Sequence, residues 1–269
     1  MPRLLAFALV CAALPFLAGC DLALRSTLVF GERRPADELF EWQGRIAAGQ
    51  HVEIKGVSGT IAAAPATSGL VEVTADRRGA RNDPNEVRIA VVEHPAGVTV
   101  CAVYPREGNA CLPGEEGRLS ARRNDVDVEF AVGVPDGVDF VARHVNGNID
   151  ASGLTGDVEA HTVNGNIDVT AGGHARAVTV NGSIRAAIGG NDWDGEGSFE
   201  TVNGSVTLTL PEAADTDVSV RTANGSIRSD LPITDTDERR QRFEGRLGDG
   251  GGTLRIRTVN GSVRLRSAG

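Results

Sequence analysis

Asn-Gly recurs six times in the second half of this 269-residue chain, as Asn146-Gly147, Asn164-Gly165, Asn181-Gly182, Asn203-Gly204, Asn224-Gly225 and Asn260-Gly261. The first four steps are 18, 17, 22 and 21 residues and the last is 36. A recurrence of that length marks stacked structural units, and it constrains the fold more than any other feature. Aligned on Asn, the preceding residue is Val145, Val163, Val180, Val202, Ala223 or Val259. Before it stands His144 once and then Thr162, Thr179, Thr201, Thr222 and Thr258. Two after Asn comes Asn or Ser, and three after comes Ile or Val.

Inside each unit the apolar residues have period two: Val158 and Ala160 before the corner, Ile167 and Val169 after it. Each unit is therefore strand, corner, strand, with one buried face. Asn-Gly is also the strongest two-residue hairpin signal, so a meander of hairpins is the competing arrangement. Three points favour an all-β, β-helix-like β-solenoid with coils of about 17–22 residues. Residue identities recur by column, as stacked ladders demand. The Thr-Val pair breaks the alternation, so that both residues are expected to look inward around an arc. The length suits one turn of a narrow coil at about 3.3 Å per residue. Asn is then expected to stack on Asn through side-chain amides, with Gly supplying a positive φ at the corner.

The template extends backwards. Val52, Ile54, Val57, Ser58, Gly59, Thr60, Ile61 and Ala63 fit it with Ser in place of Asn. Phe243 to Leu247 fit a degenerate unit inside the 36-residue gap. Between 64 and 140 strands are evident but the corner is lost. The expected organisation is one solenoid domain over 39–269, irregular over 39–140 and regular over 141–269, behind a tether at 20–38. Aromatic residues make up 4% while Gly numbers 34, which suits a thin core of small and β-branched side chains.

The N-terminus reads as a signal peptide over 1–19. Arg3 precedes an apolar stretch, Leu4 to Leu17, that is short for a bilayer span. It ends in Leu17-Ala18-Gly19-Cys20, which resembles the lipobox of bacterial lipoproteins. The resemblance implies cleavage before Cys20 and lipidation of its thiol, placing the protein in the cell envelope on the periplasmic or surface face of a membrane. Asp21 resembles a signal that retains some lipoproteins at the inner membrane. Cys101 and Cys111 remain as an even pair in an oxidising compartment, flanking a turn-rich loop, and are expected to form a disulfide. The formal net charge is −9, and −10 without Arg3, which disfavours nucleic acid as a partner.

The Val-Asn-Gly-x-Ile repeats, the Val134-Pro135-Asp136-Gly137-Val138-Asp139 phrase and the Gly245…Gly250-Gly251-Gly252 stretch resemble a bacterial family. It is a domain-of-unknown-function family of β-strand repeats that carries the label “putative adhesin”, and the resemblance covers about residues 39–269. It implies a non-enzymatic envelope protein, with a glycan or another envelope protein as partner, and it brings no catalytic residues.

The column four after Asn runs Asp150, Asp168, Arg185, Thr207, Arg228, Arg264. It reads as a solvated face, or as a graded stripe for a charged polymer or another chain. Asp150 and Asp168 also supply the carboxylate pair of a polysaccharide-cleaving β-helix enzyme, without the further carboxylates, metal or basic group such a site needs. His144 and His161 fall near one corner of neighbouring coils but lack a third ligand, so no metal and no cofactor is expected. The loops Tyr104–Asn124 and Asn191–Gly197, the latter with Trp193 among carboxylates, are the expected contact sites.

Overall fold

The computed structural model describes residues 33–117, 119–189, 196–239 and 241–268. Cys20, the signal segment and Asn191 to Gly195, with Trp193, lie outside the described residues. Residues 33–268 form an all-β fold that begins upstream of the expected 39, with β1 (Arg34–Pro35) and β2 (Phe40–Gly44). Then come β3 (His51–Lys55), β4 (Gly59–Pro65), β5 (Val71–Gly79), β6 (Arg88–His94), β7 (Gly97–Val103) and β8 (Asp127–Val134). The middle of the chain supplies β9 (Asp139–Arg143), β10 (Ile149–Leu154), β11 (Val158–His161), β12 (Ile167–Ala171), β13 (Ala175–Asn181) and β14 (Ile184–Ile188). The last part supplies β15 (Gly197–Asn203), β16 (Val206–Leu210), β17 (Thr216–Asn224), β18 (Ile227–Ser229), β19 (Thr234–Arg239), β20 (Arg242–Leu247), β21 (Gly252–Asn260) and β22 (Val263–Ser267).

These strands build two 11-stranded sheets. Each coil gives one strand to each sheet, and successive coils pair in parallel. The order of stacking is not the order of the chain. The coil β3/β4 lies between β7/β8 and β9/β10. At the other end the final coil, β21/β22, lies between β15/β16 and β17/β18. Both ends of the repeat are thus threaded one place into the stack. The stack also starts before residue 141, because β3/β4 and β7/β8 are coils whose corner residues are Ser58 and Asp127. Ser58 Oγ donates to Asp127 Oδ1 at 2.6 Å.

Parallel stacks expose an edge at each end, and unpaired strand edges recruit other chains. Here antiparallel strands cover three of the four edges, and among the described residues the short three-residue β18 ends the sheet of β4 and β10 uncovered. At one end β5 lies on β8 and β6 on β7. At the other, β20 lies on β17 and β19 on β20. Phe243 to Leu247 are therefore not a degenerate coil. They form an antiparallel cap strand, because the neighbouring coil position is already taken by β21.

The core is a pair of facing columns. Ile61, Ile149, Ile167, Ile184, Val206 and Val263 line one sheet, and Ile54, Ala142, Ala160, Ala177, Phe199 and Ile256 line the other, all 0–1% exposed. The corner carries two further ladders. Asn side chains bond up the column in the order 146, 164, 181, 203, 260, 224, each Nδ2 donating to the preceding Oδ1 at 2.7–2.8 Å. The buried Thr162, Thr179, Thr201, Thr258 and Thr222 each donate Oγ1 to the glycine carbonyl of the preceding coil in the stack at 2.8–3.1 Å.

Two expectations about the corner are corrected. The Val of Thr-Val looks outward: Val163, Val180, Val202 and Val259 are 38–40% exposed, and only Thr faces in. Alternation is unbroken because Thr occupies the inward position with its hydroxyl satisfied. Nor is a positive φ the reason for Gly at the corner. Gly147 has one at 154°, but Gly165, Gly182, Gly204, Gly225 and Gly261 are not among the positive-φ residues. At these five a Cβ would lie 1.8–2.0 Å from the glycine carbonyl oxygen of the adjacent coil. The requirement is close approach between coils.

His144 replaces Thr in the first Asn-Gly unit. It is buried, its Nε2 lies 3.2 Å from Gly59 O, and its ring occupies the space a Cβ on Gly56 would need. Burial holds its pKa below the ordinary histidine value of 6.5. As pH falls below 6.5 the unfolded chain takes up a proton that folded His144 resists. The stability present above that pH is then lost by up to about 1.4 kcal/mol per unit. His144→Thr should flatten the fall in urea midpoint between pH 7 and pH 5. His51 and His161, also held low by burial, keep the remaining slope.

Candidate functional site: a polar groove on the outer face of one sheet

The sheet containing β3, β9, β11 and β13 carries an open groove of about 780 Å³ on its outer side. The alternation that sends Val52, Ile54, Phe140 and Ala142 into the core sends Glu53, Lys55, Val141 and Arg143 outward. Parallel register then aligns Glu53 with Val141 and Glu159, and Lys55 with Arg143 and His161.

One end of the groove is roofed by the loop between β7 and β8. Cys101 and Cys111 are disulfide-bonded with Cα atoms 5.6 Å apart, which turns the loop back over β3. The buried Tyr104 hydroxyl donates to Val126 O at 2.8 Å and closes the loop base. Lys55 Nζ donates to Leu112 O and, at 2.8 Å, to Glu116 O. Gly114 N donates to Glu53 Oε2 at 2.9 Å. This roof leaves Glu53 1% and Lys55 5% exposed although both point away from the core. Desolvation lowers the Lys55 pKa, against the opposing pull of Glu53.

From the roof a chain of charges runs into the groove. Thr99 Oγ1 donates to Glu53 Oε2 at 2.8 Å, and Arg143 Nε donates to Glu53 Oε1 at 2.9 Å. Arg143 Nη2 also donates to Glu159 Oε1 at 2.9 Å, and His161 Nε2 lies 2.7 Å from the same oxygen. For Glu159 burial acts to raise the pKa, but Arg143 and His161 together hold it below the usual carboxylate value. The groove thus presents an ionised carboxylate and a guanidinium in fixed positions, with the His161 imidazole holding Glu159 from beside it. That is an array for hydrogen-bonding a polar ligand.

The pair Asp150 and Asp168 sits elsewhere. The two are in register on adjacent strands β10 and β12, on the open outer face of the other sheet. Asp168 pairs with Arg185 at 3.3 Å, and Ser152 donates to Asp150. A flat, open face does not enclose a scissile bond between two carboxylates. His144 and His161 are neighbours by backbone, His144 N donating to His161 O at 2.7 Å, but His144 points into the core and His161 out. They cannot share a ligand. Among the described residues no group of three His, Cys, Asp or Glu is placed to hold a metal.

Glu53, Arg143 and Glu159 were not singled out in the sequence. The available signal was charge at outward positions flanking Val52 and Ile54, a pattern shared by any solvated strand. Their connection depends on the loop folding over them. That loop, Tyr104–Asn124, was expected to be a contact site. Its Leu112, Gly114 and Glu116 backbone roofs one end of the groove.

Residues 141–266 match the family model described as Toastrack DUF4097. A crystal structure of a “putative cell adhesion protein” from Clostridium sporogenes aligns over 86% of this chain and 100% of its own, with a TM-score of 0.50 and 10% identity. A “putative adhesin” from Bacteroides fragilis aligns over 86% of this chain and 98% of its own, with a TM-score of 0.30 and 12% identity. At 10% identity the first likeness is one of fold. No curated protein sequence matches significantly.

Proposed function

We propose, from the premise that residues 141–266 belong to the Toastrack family of β-repeat domains, that the chain is a non-enzymatic envelope protein of adhesin type. It is tethered by a lipid on Cys20 and binds a glycan or a protein on its rigid β surface. The observation that carries the binding reading is the Glu53–Arg143–Glu159 chain, steadied by His161 beside the groove. It holds polar groups in the groove in fixed geometry, so they lose little freedom when a ligand binds. The anchoring reading rests on Leu17-Ala18-Gly19-Cys20. Two or three acyl chains, at about 0.8 kcal/mol per buried CH₂, hold a protein on a membrane stably.

Protease shaving of intact cells tests display. The domain should be clipped from wild-type cells and shed into the medium, unclipped, from Cys20→Ala cells. Protection until the outer envelope is breached would overturn adhesion. Asp21 after the lipidation site favours that second reading, in which the same groove serves a periplasmic partner.

A further inference from the structure

The other sheet carries a second surface, independent of the groove and of the adhesion reading. Its outer column, read in stacking order, is Ala131, Ala62, Asp150, Asp168, Arg185, Thr207, Arg264, Arg228. The threaded last coil matters here, because it sets Arg264 directly beside Arg228 on adjacent strands. Like charges so placed repel, and neither arginine forms an ion pair with a carboxylate among the described residues. The flanking outward residues are mostly short: Asn148, Asn166, Ser183, Ser205, Ser262 and Ser226 on one side, and on the other Ser152, Thr170, Ala187 and Thr209, ending in the exposed Arg266 and Asp230 at the basic end. The face is flat, acidic toward one end and basic toward the other.

From this geometry we infer that the face is a docking surface for a second copy of the same chain, running antiparallel. A two-fold axis parallel to the strands, midway between β14 and β16, reverses the stack while keeping each column opposite itself. It sets Asp150 against the partner's Arg228, Asp168 against the partner's Arg264, and Arg185 against the partner's Thr207. Both carboxylates meet arginines and both uncompensated arginines are neutralised. The two-fold sets Arg266 and Asp230 against the partner's shorter Thr170 and Ser152, so the sheets can still approach. An isologous contact of this kind requires a self-complementary patch, and the order of this column supplies one. A polyanion would satisfy only the arginine half and would be repelled by the acidic half. Six strands at about 4.8 Å and five residues at about 3.4 Å give a patch of roughly 500 Å². Counted over both copies this is about 1,000 Å², below the range of stable pairs, so the dimer is weak and salt-sensitive.

Sedimentation velocity of the Cys20→Ala chain, loaded at concentrations up to a few hundred micromolar, tests this. A dimer should grow with concentration at low salt, and its dissociation constant should rise at least tenfold in half-molar salt. Arg228→Glu with Arg264→Glu makes the column wholly acidic but for Arg185, and Asp150→Arg with Asp168→Arg makes it basic. Each double variant alone should be monomeric, with melting temperature measured to confirm folding. Their mixture should give a heterodimer, which misfolded chains would not. A wild-type chain that stays monomeric throughout, dimers untouched by either double variant, or a mixture that fails to associate would overturn the proposal. Polyphosphate binding lost in the Arg228→Glu, Arg264→Glu chain, with no dimer in the wild type, would assign the arginines to an anion instead.

Discussion

Replacing Gly204 with alanine should destabilise the domain by about 3 kcal/mol or more, the upper range for overpacking a closed interior. The new Cβ would stand 1.9 Å from Gly182 O and 2.5 Å from its carbonyl carbon. Both are backbone atoms, so no side-chain rotation relieves the contact. The same carbonyl accepts the Thr201 hydroxyl at 2.9 Å. Separating the Gly182 and Gly204 coils enough to admit a methyl group would break the Thr201 bond and the bond from Gly182 N to Asn203 O, 3.1 Å, and stretch the Asn203–Asn181 amide bond beside them. For a domain of this size the loss corresponds to a fall of roughly 6–12 °C in melting temperature. Gly69→Ala is the internal control. A Cβ there meets nothing within 4 Å, and the residue has no positive φ. If the two variants melt together near wild type, coils do not approach as closely as the stack requires.

Glu53→Ala should cost about 3–5 kcal/mol, the range for removing one partner of a buried charge pair. The carboxylate is 1% exposed and is bonded to Thr99, Gly114 and Arg143, with Lys55 Nζ 3.9 Å away. Without it Lys55 and Arg143 are left as close cations beneath the roof, and the Gly114 end of the loop loses its hold. Limited trypsin digestion should therefore open a site at the exposed Arg106 in the variant before the solenoid itself is cut. Glu53→Gln preserves shape but not charge and should fall between the two. Adding Lys55→Met to Glu53→Ala removes one of the stranded cations, so the double variant should be more stable than the two single losses predict together. Simple additivity would show that the cluster is not electrostatically coupled.

Local periodicity and column identity were enough to read the coil from the sequence. Strand, corner and strand follow from period-two apolar residues around Asn-Gly, and the Asn amide ladder follows from identical residues recurring at one position. The cysteine pair was likewise legible, since two thiols flanking one loop leave little choice. Three things were settled only by tertiary structure. The direction of the corner Val depended on which of two adjacent residues had its polar atom satisfied inside, and the Thr hydroxyl finds a glycine carbonyl there. The need for glycine was read as a matter of its own φ, but it arises from the carbonyl of a residue 17 to 57 positions away in sequence. The order of stacking could not be read at all. Each coil offers the same edge to every other coil, so local pattern does not say which neighbours it takes. Antiparallel strands cap both sheets at one end and one sheet at the other, and the two outermost repeats in the sequence are threaded one place into the stack. That choice brings Arg264 beside Arg228, and the fold of the Cys101–Cys111 loop over β3 brings Glu53 out of water. The sequence by itself determined the unit, because the unit is made of contacts between near neighbours and of one repeated column. The tertiary structure alone decided the order of units and what covers them, because those depend on contacts between residues that share no local pattern.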